Sequence, residues 1–444
     1  MPKSKNKLTV LIPIDRLMSV LESSNVLKRL SNEYELTILA PCSTFTPKGY
    51  QILFFKESRI GAFLRELLLN ANTIRLFSEV KSFETRVKVN LGLSRSQLEK
   101  FEKRKICIFG QFKKPRTFLS LFLAAFSTPK FDKILRSLAN LWPSLQNRIV
   151  KSKPDLILIF TGGAFTGVEN VALSYAAKLS IKSVLVVDNW DNLSSKSIFW
   201  SSPTAIGVWG ENMLANAREI HKMNSKIVRF VGSARFRPNE RVLPELNEDF
   251  ILFAGSGKPL INEPKAVLEV RKILDTMDLK KVKLIYRPHP MSNIDIERAK
   301  DSFSKYRNIE FDNSFSDNLK ENFYQSGPLE HLEELCAAAT FVIAPLSSII
   351  VESLSIGTPV VSFNWRDQGG FEKPLNEYTH FHELVNVKGF FPISSIDAFE
   401  STVLKILKIE RGYNYVPKIL PTFKDTYVER ILSLIEDTLS EEYI

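Results

Sequence analysis

The chain has 444 residues, with 60 Lys+Arg against 49 Asp+Glu and a formal net charge of +11. At roughly 100–200 residues per domain, this length suggests two or three domains. Its 44% apolar and 25% charged residues, with only 22 Pro and 18 Gly, exclude a disordered, collagenous or low-complexity chain. The charge is concentrated: residues 81–153 hold 17 Lys/Arg and 4 Asp/Glu, a net of +13, while the remainder carries 43 basic and 45 acidic residues.

In chain order, residues 1–15 (MPKSKNKLTVLIPID) contain an apolar run too short for a signal-peptide core. No stretch reaches the roughly 20 apolar residues of a membrane-spanning helix. Apolar runs at 8–13, 34–40, 156–160, 183–187, 205–209 and 227–231 alternate with helical spacing. This pattern predicts parallel strands covered on both faces by crossover helices. A basic helical insertion spans about 55–150, and within it residues 118–126 read as a buried helix segment. Residues 237–249 (RPNERVLPELNED) read as an interdomain linker. A second series of strands follows at 250–254, 283–286, 309–311, 341–344 and 359–363, with helical patterns at 264–277 and 329–339. The expectation is an α/β chain of two doubly wound, Rossmann-like domains, 1–240 and 241–444, the second including the C-terminal helices. Ligands then belong at the carboxyl ends of the strands. Cys42, Cys107 and Cys336 form no CxxC pair, which argues against a disulfide framework and suits a reducing cytoplasm.

The strongest local motif is Arg287-Pro288-His289-Pro290, directly after a strand-like run. Arg287 is a permanent cation and His289 a donor of a hydrogen bond or proton, a pair suited to a phosphate or diphosphate. A rigid turn with a structurally bonded His is the alternative. Next, Ser347 and Ser348 open a helix after a strand, Glu352 lies one turn on, and Gly357-Thr358-Pro359 closes into the following strand. Serine hydroxyls at a helix start suit an anion, and Glu352 could reach a ribose hydroxyl. An ordinary serine cap reads the same way. Gly255-Ser256-Gly257-Lys258 is no P-loop, because Leu252 and Pro259 occupy positions that need Gly and Ser/Thr. It reads as a short glycine loop, with Ser256 and Lys258 as candidate phosphate contacts or as a plain strand-to-helix turn.

In the first domain, Gly162 and Gly163 follow a strand and would let the backbone approach an acceptor closely. Asp188-Asn189-Trp190-Asp191-Asn192 follows the next strand and suits a general base with substrate hydrogen bonds from Trp190 and Asn192. A solvated loop capping the next helix is the commoner fate of such residues. His331 reads as surface or rim, and His380 and His382 are spaced i, i+2. No metal-ligand spacing is present, so neither metal nor cofactor is expected.

As an ordered set over residues 153–359, these motifs resemble the GT-B glycosyltransferase superfamily, within it the CDP-glycerol glycerophosphotransferase-like and capsule polysaccharide branch. The resemblance implies two Rossmann-like domains facing across a cleft. Arg287, His289, Ser347, Ser348 and Glu352 would sit in the donor site, and the Gly-x-Pro-Arg stretch of that branch is echoed by Gly232-Ser233-Ala234-Arg235. Where the glycerophosphotransferases carry Trp-His-Gly with a basic His, this chain has Trp190-Asp191-Asn192. The resemblance therefore implies an inverting glycosyltransferase in cell-envelope polysaccharide assembly, with Asp191, or else Asp188, as base. Its partners would be a nucleotide-sugar donor and a glycan or lipid-linked acceptor. Polyol-phosphate transfer, a UDP-N-acetylglucosamine 2-epimerase-like reaction and a non-catalytic scaffold are the alternatives. No nucleic-acid recognition motif accompanies the basic segment 81–153, which suits an anionic membrane surface or a solvated helical face. The expected location is cytoplasmic, peripheral at the inner face of the membrane.

Overall fold

A computed structural model describes the chain apart from residues 1–4, 42–46, 57–58, 81, 84–90, 105–114, 127–128, 163–166, 197, 237–248, 256–260, 290–293, 313–326, 364–374, 376–377 and 441–444. Its contacts group into two units. One comprises Met1–Ala234, Tyr378–His380 and Asp425–Ile444, and the other Arg235–Glu377 and Phe381–Lys424.

The first unit holds strands β1 (Lys7–Leu11), β2 (Glu35–Pro41), β3 (Gln51–Phe55), β4 (Leu156–Phe160), β5 (Lys182–Val186), β6 (Ala205–Val208) and β7 (Val228–Phe230). They form one parallel sheet in the order β3-β2-β1-β4-β5-β6-β7. The second unit holds β8 (Phe250–Ala254), β9 (Lys283–Arg287), β10 (Ile309–Phe311), β11 (Val342–Pro345), β12 (Val360–Phe363) and β13 (Phe390–Ile393). Its parallel order is β10-β9-β8-β11-β12-β13. Both are doubly wound α/β sheets, as the alternating pattern predicts. Every residue of β4 (LILIF) and β8 (FILFA) is buried, which is why these strands read as uninterrupted apolar runs.

Two strands fall outside the runs read from the sequence, and both are sheet edges. β3 (QILFF) is half exposed, and β13 (FFPI) contains Pro392, whose missing N–H an edge tolerates. The expected linker lies almost wholly in residues 237–248, outside those described, but the units part at Ala234 rather than at residue 240. The C-terminal helix Tyr427–Leu439 belongs to the first unit, contrary to expectation. An apolar face is visible in sequence, but not which sheet it will cover. Arg430 Nε donates to the Val231 carbonyl at 2.9 Å, and Lys182 Nζ donates to the Leu439 carbonyl at 2.9 Å.

Between β3 and β4 the insertion forms helices Arg59–Arg75, Arg95–Arg104, Pro115–Phe126, Pro129–Ala139 and Pro143–Ser152. The buried segment expected at 118–126 is a helix, but Phe118, Phe122 and Phe126 on it are exposed. No described helix is long and apolar enough to cross a membrane.

In the second unit, helix Ile349–Ser355 returns to β12 through Gly357. Gly357 has φ +81°, and a Cβ there would lie 2.6 Å from the Tyr413 backbone nitrogen and 2.7 Å from that of Gly412. Gly357→Ala is therefore expected to cost about 3 kcal/mol, from left-handed backbone strain plus overlap with backbone that cannot yield. Urea unfolding would read this as a lower midpoint at unchanged slope. A variant within about 0.5 kcal/mol of wild type would show that the joint accommodates a side chain.

Candidate active site

In the second unit the motifs gather at the carboxyl ends of β9, β8 and β11, three neighbouring strands around the point where strand order reverses. At β8, the Gly255 N–H donates to the Arg287 carbonyl at 2.8 Å. A Cβ on Gly255 would stand 3.1 Å from the His289 backbone nitrogen and collide with the Glu263 carboxylate, so this turn requires glycine. Glu263, itself buried, accepts from the Tyr286 hydroxyl at 3.1 Å. Ser256, Lys258 and Pro290 fall outside the described residues.

At β9, Arg287 is buried, and its guanidinium forms a close ion pair with Asp312, just beyond β10. Burial pulls the Arg287 pKa below its ordinary value, and the Asp312 carboxylate opposes that shift. His331 Nε2 lies 3.4 Å from the other Asp312 oxygen. The expected phosphate contact Arg287 is thus engaged by a carboxylate that no sequence motif marks. His289, two residues on, is half-buried.

At β11, Ser347 and Ser348 lead into helix Ile349–Ser355. The Ser347 hydroxyl is buried and has no hydrogen-bond partner among the described residues. Ser348 accepts the Glu352 N–H at its carbonyl, 3.1 Å away, and makes no side-chain cap. Glu352 is buried and lies 3.7 Å from Arg235 Nη2, so the Gly232–Arg235 stretch reaches the same helix. Beneath sits Cys336, a free thiol that burial pushes up to about 12. It senses the charges of Glu352 and Arg287. The two motifs, 65 positions apart between Arg287 and Glu352, therefore share one buried neighbour.

The first unit has its own polar cluster at the carboxyl ends of β4 and β5. The Asp188 N–H donates to Thr161 Oγ1 at 2.9 Å, and that hydroxyl donates to Asn192 Oδ1 at 2.8 Å. Asn189 N–H donates to the same amide oxygen at 2.9 Å. Asn192 thus laces two strand ends together, and its amide oxygen is spent inside the protein. Asp188 pairs with Arg16 at 3.0 Å through Oδ2, while Oδ1 is buried with no hydrogen-bond partner among the described residues.

Asp191 begins a short helix, Asn192–Ser195, and its carboxylate accepts from Ser195 Oγ at 2.9 Å and pairs with Lys196 Nζ at 3.0 Å. Burial alone would raise the Asp191 pKa, but the Lys196 charge, His380 and the hydrogen bonds from Lys196 and Ser195 pull it down to about 2. Trp190 is buried, and its ring meets the His380 ring edge-on at 4.9 Å. His380 is also buried, and its segment is held by Thr379, whose N–H donates to Ser82 Oγ at 2.7 Å. Gly162 approaches protein rather than open space: a Cβ would lie 2.8 Å from Pro13 Cγ. The Gly162 N–H donates to Glu169 Oε1 at 2.7 Å, and burial raises the Glu169 pKa. Gly163 is outside the described residues.

Reasoning from sequence missed Arg16, Glu169 and Asp312, and gave Lys196 and His380 no role. Of the three missed, Glu169 left a trace as an acidic residue in the first turn of helix Val168–Lys178. Among the described residues no group of three or more His, Cys, Asp or Glu could hold a metal ion.

No protein-family model and no curated protein matches the sequence. Solved structures do match the fold. The S. aureus MnaA–UDP co-structure is 13% identical with a TM-score of 0.50, covering 98% of this chain and 97% of that one. The UDP-GlcNAc 2-epimerase from Methanocaldococcus jannaschii is 12% identical with a TM-score of 0.50, covering 97% and 99%. The glycotransferase of kitacinnamycin is 10% identical with a TM-score of 0.50, covering 99% and 96%. With its two doubly wound parallel sheets, the chain has the GT-B fold.

Proposed function

We propose that this protein is an inverting, metal-independent glycosyltransferase that moves a sugar from a nucleotide-activated donor to a hydroxyl of a surface polysaccharide or lipid-linked glycan. The observation that carries the reading is the convergence of His289, Ser347, Ser348 and Glu352 at the strand-order reversal of the second sheet. There the buried Ser347 hydroxyl has no hydrogen-bond partner among the described residues. Buried polar atoms in folded proteins nearly always have a partner, so such an atom at a crevice asks for a ligand. The UDP held by S. aureus MnaA supports a nucleotide as that ligand.

In this reading His289 and the two serines hold the donor phosphate, with Ser256 and Lys258 as further contacts, and Glu352, braced by Arg235, accepts from the ribose hydroxyls. Arg287 positions rather than touches, since Asp312 occupies it. On the acceptor side, an Asp191 with a pKa of about 2 is too weak a base to act alone at neutral pH. Its fixed negative charge instead supports a proton on His380, the ring packed against Trp190. The acceptor hydroxyl gives its proton to His380, its oxygen attacks the anomeric carbon, and the bond to the donor phosphate breaks. The nucleotide leaves with the electron pair, and the donor-site groups stabilise its charge.

A second reading, an epimerase of the UDP-N-acetylglucosamine 2-epimerase type, is supported by the full-length overlap with the M. jannaschii enzyme. A thermal-shift screen with CMP, CDP, UDP, GDP and their sugar conjugates identifies the donor, and turnover with and without a glycan acceptor separates the two readings. A transferase forms product only with acceptor. Conversion of donor alone, with no glycan product, would overturn the transferase reading in favour of epimerisation. His289→Ala is expected to weaken donor binding by about 10- to 100-fold, the loss of one charge-assisted hydrogen bond. Unchanged donor affinity would put the donor elsewhere. Asp191→Asn and His380→Gln are each expected to lower kcat by about 100-fold or more while leaving donor affinity intact. Full turnover in both folded variants would remove the pair from the mechanism.

A further inference from the structure

Two helices of the first unit's insertion turn large apolar side chains away from the protein. Helix Pro115–Phe126 lies along helix Arg59–Arg75. Arg116 pairs with Glu66 at 2.7 Å, and Arg75 donates to the carbonyls of Leu123 at 2.6 Å and Ala124 at 3.3 Å. Its inward side is small or polar apart from Leu121: Thr117 and Ser120 are buried, and Thr117 Oγ1 donates to the Leu91 carbonyl at 3.3 Å. Its outward side is a ladder of Phe118, Phe122 and Phe126, 38%, 43% and 46% exposed, with successive ring centroids 6.5 and 5.3 Å apart. A water-facing helix has the opposite arrangement.

The second helix packed on Arg59–Arg75 repeats the theme. Helix Pro129–Ala139 is tied to it through Arg65, which donates to the Ala139 carbonyl at 2.9 Å. It turns Ile134 and Leu138 outward, 57% and 44% exposed, and Leu141 follows at 54%. Ile60, 75% exposed, stands at the same end, because its neighbour Gly61 comes within 3.4 Å of the Leu141 carbonyl when a Cβ is placed on it. A row of exposed aromatic rings in mutual contact, such as Phe118, Phe122 and Phe126, marks an interaction surface rather than ordinary scatter.

Charge decides what the surface meets. Residues 81–153 carry a net +13, and the rest of the chain −2. A second copy would bring the same positive segment against itself, and like charges oppose such a contact. A nucleic acid would satisfy the charge but leave the phenylalanines in water. Anionic lipid satisfies both, with Lys and Arg at the headgroups and the aromatic row at the acyl boundary.

We propose that helices Pro115–Phe126 and Pro129–Ala139 dock this protein on the surface of an anionic lipid bilayer, lying on it rather than crossing it. The proposal stands independently of the transferase reading, since lipid binding is read without donor or acceptor.

The full-length chain is mixed with vesicles of phosphatidylcholine, with or without about 30% phosphatidylglycerol, and sedimented at low and high salt. Binding is expected to be at least about tenfold stronger with phosphatidylglycerol and to fall with salt. Replacing Phe118, Phe122 and Phe126 together by Ser should reduce it at least about tenfold at unchanged far-UV circular dichroism and thermal midpoint. Should that variant unfold, Ile134→Ser with Leu138→Ser on the other helix tests the same surface. Wild-type binding to neither vesicle, or binding unaltered in the folded variants, overturns the proposal. So does a wild-type dimer on gel filtration that the variants convert to monomer, because a second copy would then cover the face.

Discussion

Each sheet reverses its direction of growth once, between β1 and β4 in the first unit and between β8 and β11 in the second. The polar clusters depend on that constraint. Crossovers leave the two sides of a reversal toward opposite faces, so no helix covers the strand ends between them. Strands that are buried along their whole length, such as β4 and β8, then terminate in groups that must find partners. The chain supplies charges for this purpose: Arg16 for Asp188 beyond β5, and Asp312 for Arg287 at the end of β9. Removing one member of a buried pair like Arg287–Asp312 leaves a lone charge in a poor solvent, at a cost of about 3–5 kcal/mol. Such a pair commits the Arg287 guanidinium to the Asp312 carboxylate.

Two carboxylates of the first unit show how local partners set opposite outcomes from the same burial. Glu169 receives the Gly162 N–H, and burial prevails, so its pKa rises. Asp191 has a cation in Lys196 as well as hydrogen bonds, and its pKa falls to about 2. Burial disfavours the ion in both cases, and at Asp191 the nearby positive charge together with hydrogen bonds outweighs it. One unit thus holds one buried carboxylate whose pKa is lowered and another whose pKa is raised. In the proposed reaction Asp191 therefore supports positive charge on the neighbouring ring rather than removing a proton itself.

How much of this was legible in the sequence follows from what each feature depends on. Core strands depend on their own residues, so 156–160 and 250–254 could be read directly. β3 and β13 depend on a neighbour for half their burial, and Pro392 breaks the run in β13, so neither stood out. The Arg-Pro-His and Ser-Ser motifs could be placed at strand ends because each follows an apolar run locally. Their partners could not. Asp312 lies 25 positions from Arg287, and His380 lies 190 positions from Trp190, joined only by tertiary packing. Gly162 was read as letting the backbone approach an acceptor, and the group a Cβ there would meet is Pro13 of the same unit.

The insertion differs from the rest because its packing and its surface use different residues. Leu121 joins Ile74, Phe77, Leu91, Leu93, Leu98 and Phe101 in a small apolar core, with Ala124 and Ala125 against it. Small inward side chains let helix Pro115–Phe126 come close to Arg59–Arg75, where two arginines bind the pair together. That association owes little to the outward Phe row, whose full removal from water would be worth about 1.5–3 kcal/mol for each ring. Each basic side chain near an anionic surface adds about 1 kcal/mol. Neither contribution alone gives a firm anchor, but one segment of the chain carries both. A solvated basic helix would need only the charges, and its aromatic face would be a liability in water. The coincidence of aromatic exposure and positive charge in one insertion, against a nearly neutral remainder, is therefore better accounted for by a surface that uses both.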